Sequence, residues 1–100
     1  YGEAIEKLSR IIKSGKDKQA ELYAHLYLGI VYYEREMYKG AVEFLSKAIR
    51  MGPNLYEAYY YLGLVLKNMK RKDMADAIWK KLIKKNPGNI WAKRAKEEIG

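Results

Sequence analysis

The sequence contains no cysteine, no threonine, only two prolines and a single histidine. Without thiols, neither a disulfide framework nor a thiolate metal site can form. No apolar run approaches the roughly 18 residues that a membrane-spanning helix requires, and no signal peptide is recognisable. With one His, three Ser and neither a metal-ligand spacing nor a phosphate-binding loop, catalytic chemistry has few candidates. We therefore expect a soluble, cytoplasmic protein that is not an enzyme and holds no cofactor or metal.

The chain is instead rich in tyrosine and in positive charge. Its 100 residues include ten tyrosines, and 49% are hydrophobic, as in ordinary globular proteins. The formal net charge is +8, and it is unevenly placed. Residues 51–100 contain eleven Lys and Arg against five Asp and Glu, which gives +6, whereas residues 1–50 contain nine against seven, which gives +2. Such a field favours anionic partners without specifying a fold.

Apolar residues recur at helical spacing along the whole chain, which predicts six helices joined by short turns. The first helix ends at Gly15, the second reaches about Glu36, and the third stops at Gly52-Pro53. Asn54 with Glu57 three residues later predicts a capping box that opens the fourth helix. That helix runs to about residue 68, a fifth spans roughly 72–85, and a shorter sixth contains Trp91. Such an array predicts antiparallel helical hairpins.

A fixed period then appears. Six positions recur 34 residues later: Leu28, Gly29, Ala41, Leu45, Ala48 and Pro53 become Leu62, Gly63, Ala75, Trp79, Leu82 and Pro87. A period of this size is typical of stacked repeats. Because glycine inside a helix costs about 1 kcal/mol relative to alanine, Gly29 and Gly63 predict close helix contacts, which we expect to be made with Ala41 and Ala75.

These residues, with Tyr32 and the closing prolines, resemble the tetratricopeptide repeat. The resemblance implies an all-α, right-handed superhelix of stacked helical hairpins in one domain. Residues 1–15 correspond to the second helix of a partial repeat, 22–55 and 56–89 to full repeats, and 90–100 to a capping helix or half repeat. His25, Leu66 and Leu82 depart from the family pattern at packing positions.

In this family the first helix of each hairpin lines a concave groove that binds peptides. The resemblance therefore implies a scaffold for a protein or peptide with hydrophobic anchors, and six of the implied groove residues are aromatic, which suits binding hot spots. The implied groove residues are Tyr23, Leu26, Tyr27, Ile30, Tyr33, Tyr60, Tyr61, Leu64, Lys67, Asn68, Trp91 and Arg94. Packing between hairpins is the alternative role of these tyrosines, above all of Tyr27 and Tyr61.

Two other partners stay open. Basic residues crowd positions 67–85, where an anionic partner, RNA or an acidic surface, is the alternative to a solvated outer face: Lys67, Lys70, Arg71, Lys72, Lys80, Lys81, Lys84 and Lys85. Nucleic acid is the less favoured of these because the lysines and the tyrosines should face opposite sides. Exposed repeat edges make self-association a third possibility. A receptor for chaperone tails is disfavoured, because Leu26, Ile30 and Tyr61 replace the clamp residues of that subtype. His25 is expected to be structural.

Overall fold

Consecutive helices pack against one another along an elongated array in the computed structural model, which describes residues 2–99. The array measures 40 × 25 × 17 Å. The helices are α1 (Gly2–Ser14), α2 (Lys18–Glu34), α3 (Tyr38–Met51), α4 (Tyr56–Asn68), α5 (Lys72–Lys85) and α6 (Ile90–Ile99). The described residues contain no strand. The prediction of an all-α solenoid of helical hairpins is confirmed.

The period that is visible in the sequence also governs how the helices end. Glu36 follows α2 and Lys70 follows α4, and both have left-handed backbones, with φ of 61° and 63°. After each, the next residue closes the turn: Met37 N–H donates to the Tyr32 carbonyl, and Arg71 N–H donates to the Leu66 carbonyl, both at 2.8 Å. This pattern of hydrogen bonds is the Schellman motif. The second helix therefore ends two residues before the predicted Glu36.

The capping box predicted at Asn54 is wrong. The residue that caps α4 is Leu55, and no side chain bonds the free N–H groups there. The chain first makes a turn after Pro53, in which Leu55 N–H donates to the Gly52 carbonyl at 3.0 Å. That turn delays the helix, so Asn54 lies one residue too early to cap it. A side-chain cap is found on α2, where the Asp17 carboxylate accepts from Gln19 N–H at 2.9 Å.

Gly29 and Gly63 lie at close helix contacts, but the residues that they face are not the predicted alanines. The nearest atoms to a Cβ built on Gly29 belong to Leu45, and those nearest to one on Gly63 belong to Trp79. Ala41 and Ala75 are also fully buried. Each alanine lies one helical turn before the larger side chain, Leu45 or Trp79, that fills the space next to the glycine.

Trp79 is the largest fully buried side chain of the described core. Its indole N–H donates to the Tyr60 carbonyl at 3.1 Å, so the only polar atom of the ring has a partner. The bond joins α5 to α4 across the second hairpin. It also fixes the backbone of Tyr60, which belongs to the site described below.

The helices form two faces. We call the surface of α2, α4 and α6 the inner face, because α2 contacts α4 and α4 contacts α6. The surface of α1, α3 and α5 is the outer face. Among the described residues the backbones of these outer helices do not approach one another closely, since each packs instead on the inner helices beside it. The inner face is built from the helices on which the family resemblance implies a groove.

Candidate functional site

A continuous row of aromatic rings crosses the inner face from one hairpin to the next. Ring centroids lie 6.1 Å apart for Tyr33 and Tyr61, 5.5 Å for Tyr61 and Tyr60, and 5.5 Å for Tyr60 and Trp91. Tyr38 of α3 extends the row, 6.2 Å from Tyr33. We call these five residues the aromatic ladder. It links α2, α4 and α6, the three helices on which the family resemblance implies a groove.

The rings of the ladder meet at angles that suit aromatic packing. Tyr33 and Tyr61 meet edge to face at 68°, and Tyr60 and Tyr61 at 80°. This arrangement brings the positive edge of one ring to the negative face of the next. All five side chains are half-buried. Each ring therefore packs against its neighbour and still presents part of its surface to solvent.

Tyr23 and Tyr27 form a separate, more exposed pair on α2. Their rings are stacked at 6.4 Å and 25°, because residues four apart lie on the same helix face. They are 38% and 45% exposed. The alternative prediction that Tyr27 is packed under a neighbouring hairpin is therefore wrong, whereas Tyr61 does contact the hairpins on both sides.

Leu26 does not belong to the inner surface, so this predicted groove residue is wrong. It is 0% exposed and lies in the hydrophobic core. The reason is that α2 is packed by α1, α3 and α4 at once, which leaves only a narrow stripe of the helix free. Ile30 and Leu64 are half-buried against the core.

The far end of the inner face is polar. The Lys67 ammonium lies 3.1 Å from the Glu98 carboxylate, and the Arg94 guanidinium lies over the Trp91 ring, 4.8 Å from its centroid. The Asn68 amide donates to the Leu64 carbonyl of its own helix at 2.8 Å. These predicted groove residues thus lie together with Trp91 at the α4–α6 end. Lys67 and Asn68 already have partners within the chain.

Burial shifts the titration of the groups around the ladder. It raises the pKa of the Glu57 carboxyl, and the nearby Arg94 guanidinium acts in the opposite direction. Burial is also the main cause that raises the pKa of Tyr60 and of Tyr61. The phenols of Tyr60 and Tyr61 are therefore neutral at physiological pH.

The sequence reasoning missed three residues of this site. Tyr38 extends the ladder, Glu98 pairs with Lys67, and Glu57 is half-buried beside Tyr61. Helical spacing signals the position of Glu57, which lies four residues before Tyr61 on α4. Nothing in the local sequence signals Tyr38 or Glu98, because each meets its partner across two helices.

The basic residues of the 67–85 segment do not form one surface. Lys67 turns toward α6 and Glu98, while Lys72 pairs with Asp76 on α5 at 3.2 Å. Lys85 lies 6.0 Å from the centroid of the Tyr59 ring. The exposed lysines of α5 lie on the outer face, opposite the buried Ala75, Trp79 and Leu82.

Several chemistries find no support within residues 2–99. No three His, Cys, Asp or Glu side chains come together there as a metal ion would need. No helix in that range is long and apolar enough to cross a membrane. His25 is 4% exposed, and its Nδ1 lies 2.9 Å from the Glu21 carbonyl. Its packed position agrees with the structural role predicted for it.

The fold and its inner face define a helical-hairpin repeat protein. A family model described as TPR repeat matches residues 29–70, and one described as tetratricopeptide repeat matches residues 57–89. The two overlap and together span residues 29–89, more than half of the chain. The chain belongs to the tetratricopeptide repeat family. Repeats of this family are generally protein–protein interaction modules and typically non-catalytic scaffolds. Comparison with curated proteins gives no match.

Proposed function

We propose that the chain is a binding scaffold whose inner face holds a segment of a partner protein through hydrophobic anchors. The observation that carries the proposal is the aromatic ladder, because it joins the inner helices of successive hairpins into one surface. Tyrosine and tryptophan offer broad contact area and a polar tip at low conformational cost, and they dominate binding hot spots. The segment is extended or helical, since both forms lie along such grooves.

The exposed pair Tyr23 and Tyr27 supports the same proposal at the other end of α2. These rings are among the most exposed large hydrophobic side chains of the described residues. They stack on each other, and each is more than a third exposed. Clustered exposed aromatics of this kind mark interaction sites more often than single ones do. A bound segment would therefore cross from this pair to Trp91.

Selection of peptides from a displayed random library tests the proposal directly. Peptides selected on the wild-type protein should lose about tenfold or more in affinity when Tyr27 and Tyr60 are both replaced by Ala, because hot-spot truncations cost ~2 kcal/mol or more. Ile90→Ala is the matched control, since Ile90 is 57% exposed but begins α6 outside the ladder. Circular dichroism checks that each variant stays folded. The proposal fails if the control reduces affinity as much as the tyrosine variant.

An anionic partner, RNA or an acidic surface, is the second candidate, and self-association is the third. The division of the 67–85 charges between two faces gives less support to a single anionic site that uses the whole segment. A salt titration separates it from the first proposal: binding to phosphates weakens by orders of magnitude between about 50 and 200 mM salt. Light scattering at high protein concentration tests self-association.

A further inference from the structure

An apolar groove lies on the outer face, between α3 and α5. The backbones of these two helices do not approach each other closely, so a hollow remains between their side chains, next to the buried Leu62 and Leu66 of α4. Two adjoining hollows of about 370 and 350 Å³ share Val42, Leu66 and Met74 in their walls. Each is within the ~300–1,000 Å³ range of protein binding clefts. We call this the outer groove.

Flexible methionines line one end of the outer groove. Met69 and Met74 are in its wall, and Met74 is 52% exposed. Met37, in the turn before α3, is 46% exposed. Three of the chain's four methionines are thus in the α2–α3 and α4–α5 connections and the start of α5. Methionine is the side chain that adapts most readily to a partner's shape, and it is over-used on binding surfaces.

Positive charge flanks the outer groove at both ends. Lys39 and Arg71 line it at the start of α3 and α5, with Glu43 as the one acidic side chain in its walls. Toward the other end, the face of α5 that carries Met74 and Ile78 continues with Lys81 and Lys85, at spacings that keep all four on one side of the helix. An apolar centre between cationic ends is complementary to an acidic segment with apolar anchors.

The helix dipole explains only one of these four charges. Lys85 lies in the last turn of α5, where a cation is favourable. Lys39 and Arg71 are at helix beginnings, where the positive end of the dipole disfavours them. The first turn of α3 contains no acidic residue to offset Lys39. An anionic ligand at this end would remove that repulsion.

The chemistry of the walls selects between the anionic classes. Single-stranded nucleic acid is held by aromatic stacking platforms together with cations, and no aromatic ring lines either hollow. Aliphatic walls fit leucine or methionine side chains. We propose that the outer groove binds an acidic protein segment whose apolar side chains enter between α3 and α5. This inference is independent of the function proposed for the inner face.

A synthetic peptide tests whether the outer groove binds an acidic segment. The probe is a fluorescein-labelled peptide with a central Leu-Ala-Leu-Leu segment and glutamates on both sides, and binding to the full chain is followed by fluorescence anisotropy at low salt. One comparison peptide replaces leucine by serine, and another replaces glutamate by lysine. The proposal requires that both replacements weaken binding at least about tenfold, since apolar and charged contacts contribute together.

Three variants locate the probe. Met74→Glu places a negative charge, of the same sign as the probe's glutamates, in the groove. It should leave the core undisturbed because Met74 is half exposed, and it should weaken binding about tenfold or more. Arg71→Glu should weaken it about fivefold or more, with a smaller effect at high salt. Tyr27→Ala on the inner face is the matched control and should leave the affinity within about twofold. Circular dichroism confirms that the variants are folded.

Other results would overturn the proposal. Absence of probe binding at about 1 mM protein, equal binding of the serine peptide, or a larger loss in Tyr27→Ala than in Met74→Glu would each exclude an acidic segment in the outer groove. A single-stranded RNA that displaces the probe and binds Met74→Glu as well as wild type would assign the cations to nucleic acid instead.

Discussion

Gly63 of α4 lies directly beneath the indole of Trp79. A methyl group at this position would overlap the ring, which is fully buried and held by its hydrogen bond to the Tyr60 carbonyl. Gly29 of α2 lies beneath Leu45 instead, 2.5 Å from its Cγ to the position of an added Cβ. Gly29 and Gly63 therefore occupy the same position of the repeat but have different neighbours. The Trp79 ring is rigid, whereas the Leu45 side chain is more adaptable.

We expect Gly63→Ala to destabilise the fold by about 2 kcal/mol, since overpacking costs ~1–3 kcal/mol. Gly29→Ala should cost about half as much. Without these contacts, either change would stabilise a helix by about 1 kcal/mol, so the sign of the effect is itself the test. Urea unfolding measures it, with Ala77→Gly at an exposed position of α5 as the control. A stabilised Gly63→Ala variant would contradict the packing described here.

The Glu57 carboxyl makes the stability of the fold depend on pH. Its pKa in the folded chain is raised by burial above the ordinary value of 4.5, so the folded state binds the proton more tightly than the unfolded state does. Its contribution to stability is therefore fully present below pH 4.5 and is lost as the pH rises through the folded pKa. Glu57→Gln should remove this dependence, and the wild type should lose stability relative to it above pH 4.5.

Urea unfolding at a series of pH values compares the two proteins. The difference between them isolates Glu57, because every other carboxyl titrates in both. Glu43→Gln, at an exposed position of α3, is the matched control. A difference that stays flat across the range, or that grows in the opposite direction, would contradict the assigned shift.

At the scale of helices, the two left-handed turns after α2 and α4 carry backbone strain that glycine would relieve. A residue with a side chain costs about 1–2 kcal/mol more than glycine in this conformation, yet Glu36 and Lys70 occupy it after α2 and α4. Gly15 occupies the matching conformation after α1, with φ of 60°. The chain thus uses glycine at one helix end and larger residues at two others.

Lys70→Gly and Glu36→Gly should each stabilise the fold by about 1 kcal/mol, and their effects should add because the two turns are in different hairpins. Gly15→Ala should have the opposite effect, of about the same size. Thermal and urea unfolding give the values. Glu43→Gly, within α3, is the control and should destabilise by about 1 kcal/mol. Glycine variants less stable than the wild type would show that the turns are held by the replaced side chains.

The helices themselves could be predicted from the sequence, because apolar spacing and helix-ending residues are local signals. The repeat period also predicted that Gly29 and Gly63 meet a partner helix. The sequence could not predict which residue each glycine meets, since that depends on how far the two helices are shifted along their axes. Likewise, the burial of Leu26 follows from how many neighbours surround α2, and the pairing of Lys67 with Glu98 from the distance between α4 and α6.

Across the whole molecule, the aromatic ladder is where successive hairpins touch on the inner face. Tyr33 and Tyr61 belong to different repeats, and their rings meet edge to face. In a repeat array, stability is approximately the sum of each repeat's own stability and the terms between neighbours. The ladder therefore contributes to the cohesion of the array as well as to its surface.

A double-mutant cycle measures that contribution. Replacing Tyr33 and Tyr61 by Leu, singly and together, should reveal a coupling free energy of about 0.5–1.5 kcal/mol in urea unfolding. The pair Tyr23 and Tyr27, within α2, is the control, with an expected coupling of about 0.2–0.5 kcal/mol. Strictly additive effects of the Tyr33 and Tyr61 replacements would mean that the rings only share a surface.

The two tryptophans lie in different environments, so tryptophan fluorescence can report on different parts of the molecule. Trp79 is sealed in the core, whereas Trp91 is half-buried at the end of the ladder beside Arg94. A peptide that docks on the inner face should shift the emission of Trp91, and the shift should vanish in Trp91→Phe. A peptide held between α3 and α5 should leave that emission unchanged, so intrinsic fluorescence alone can report which surface is occupied.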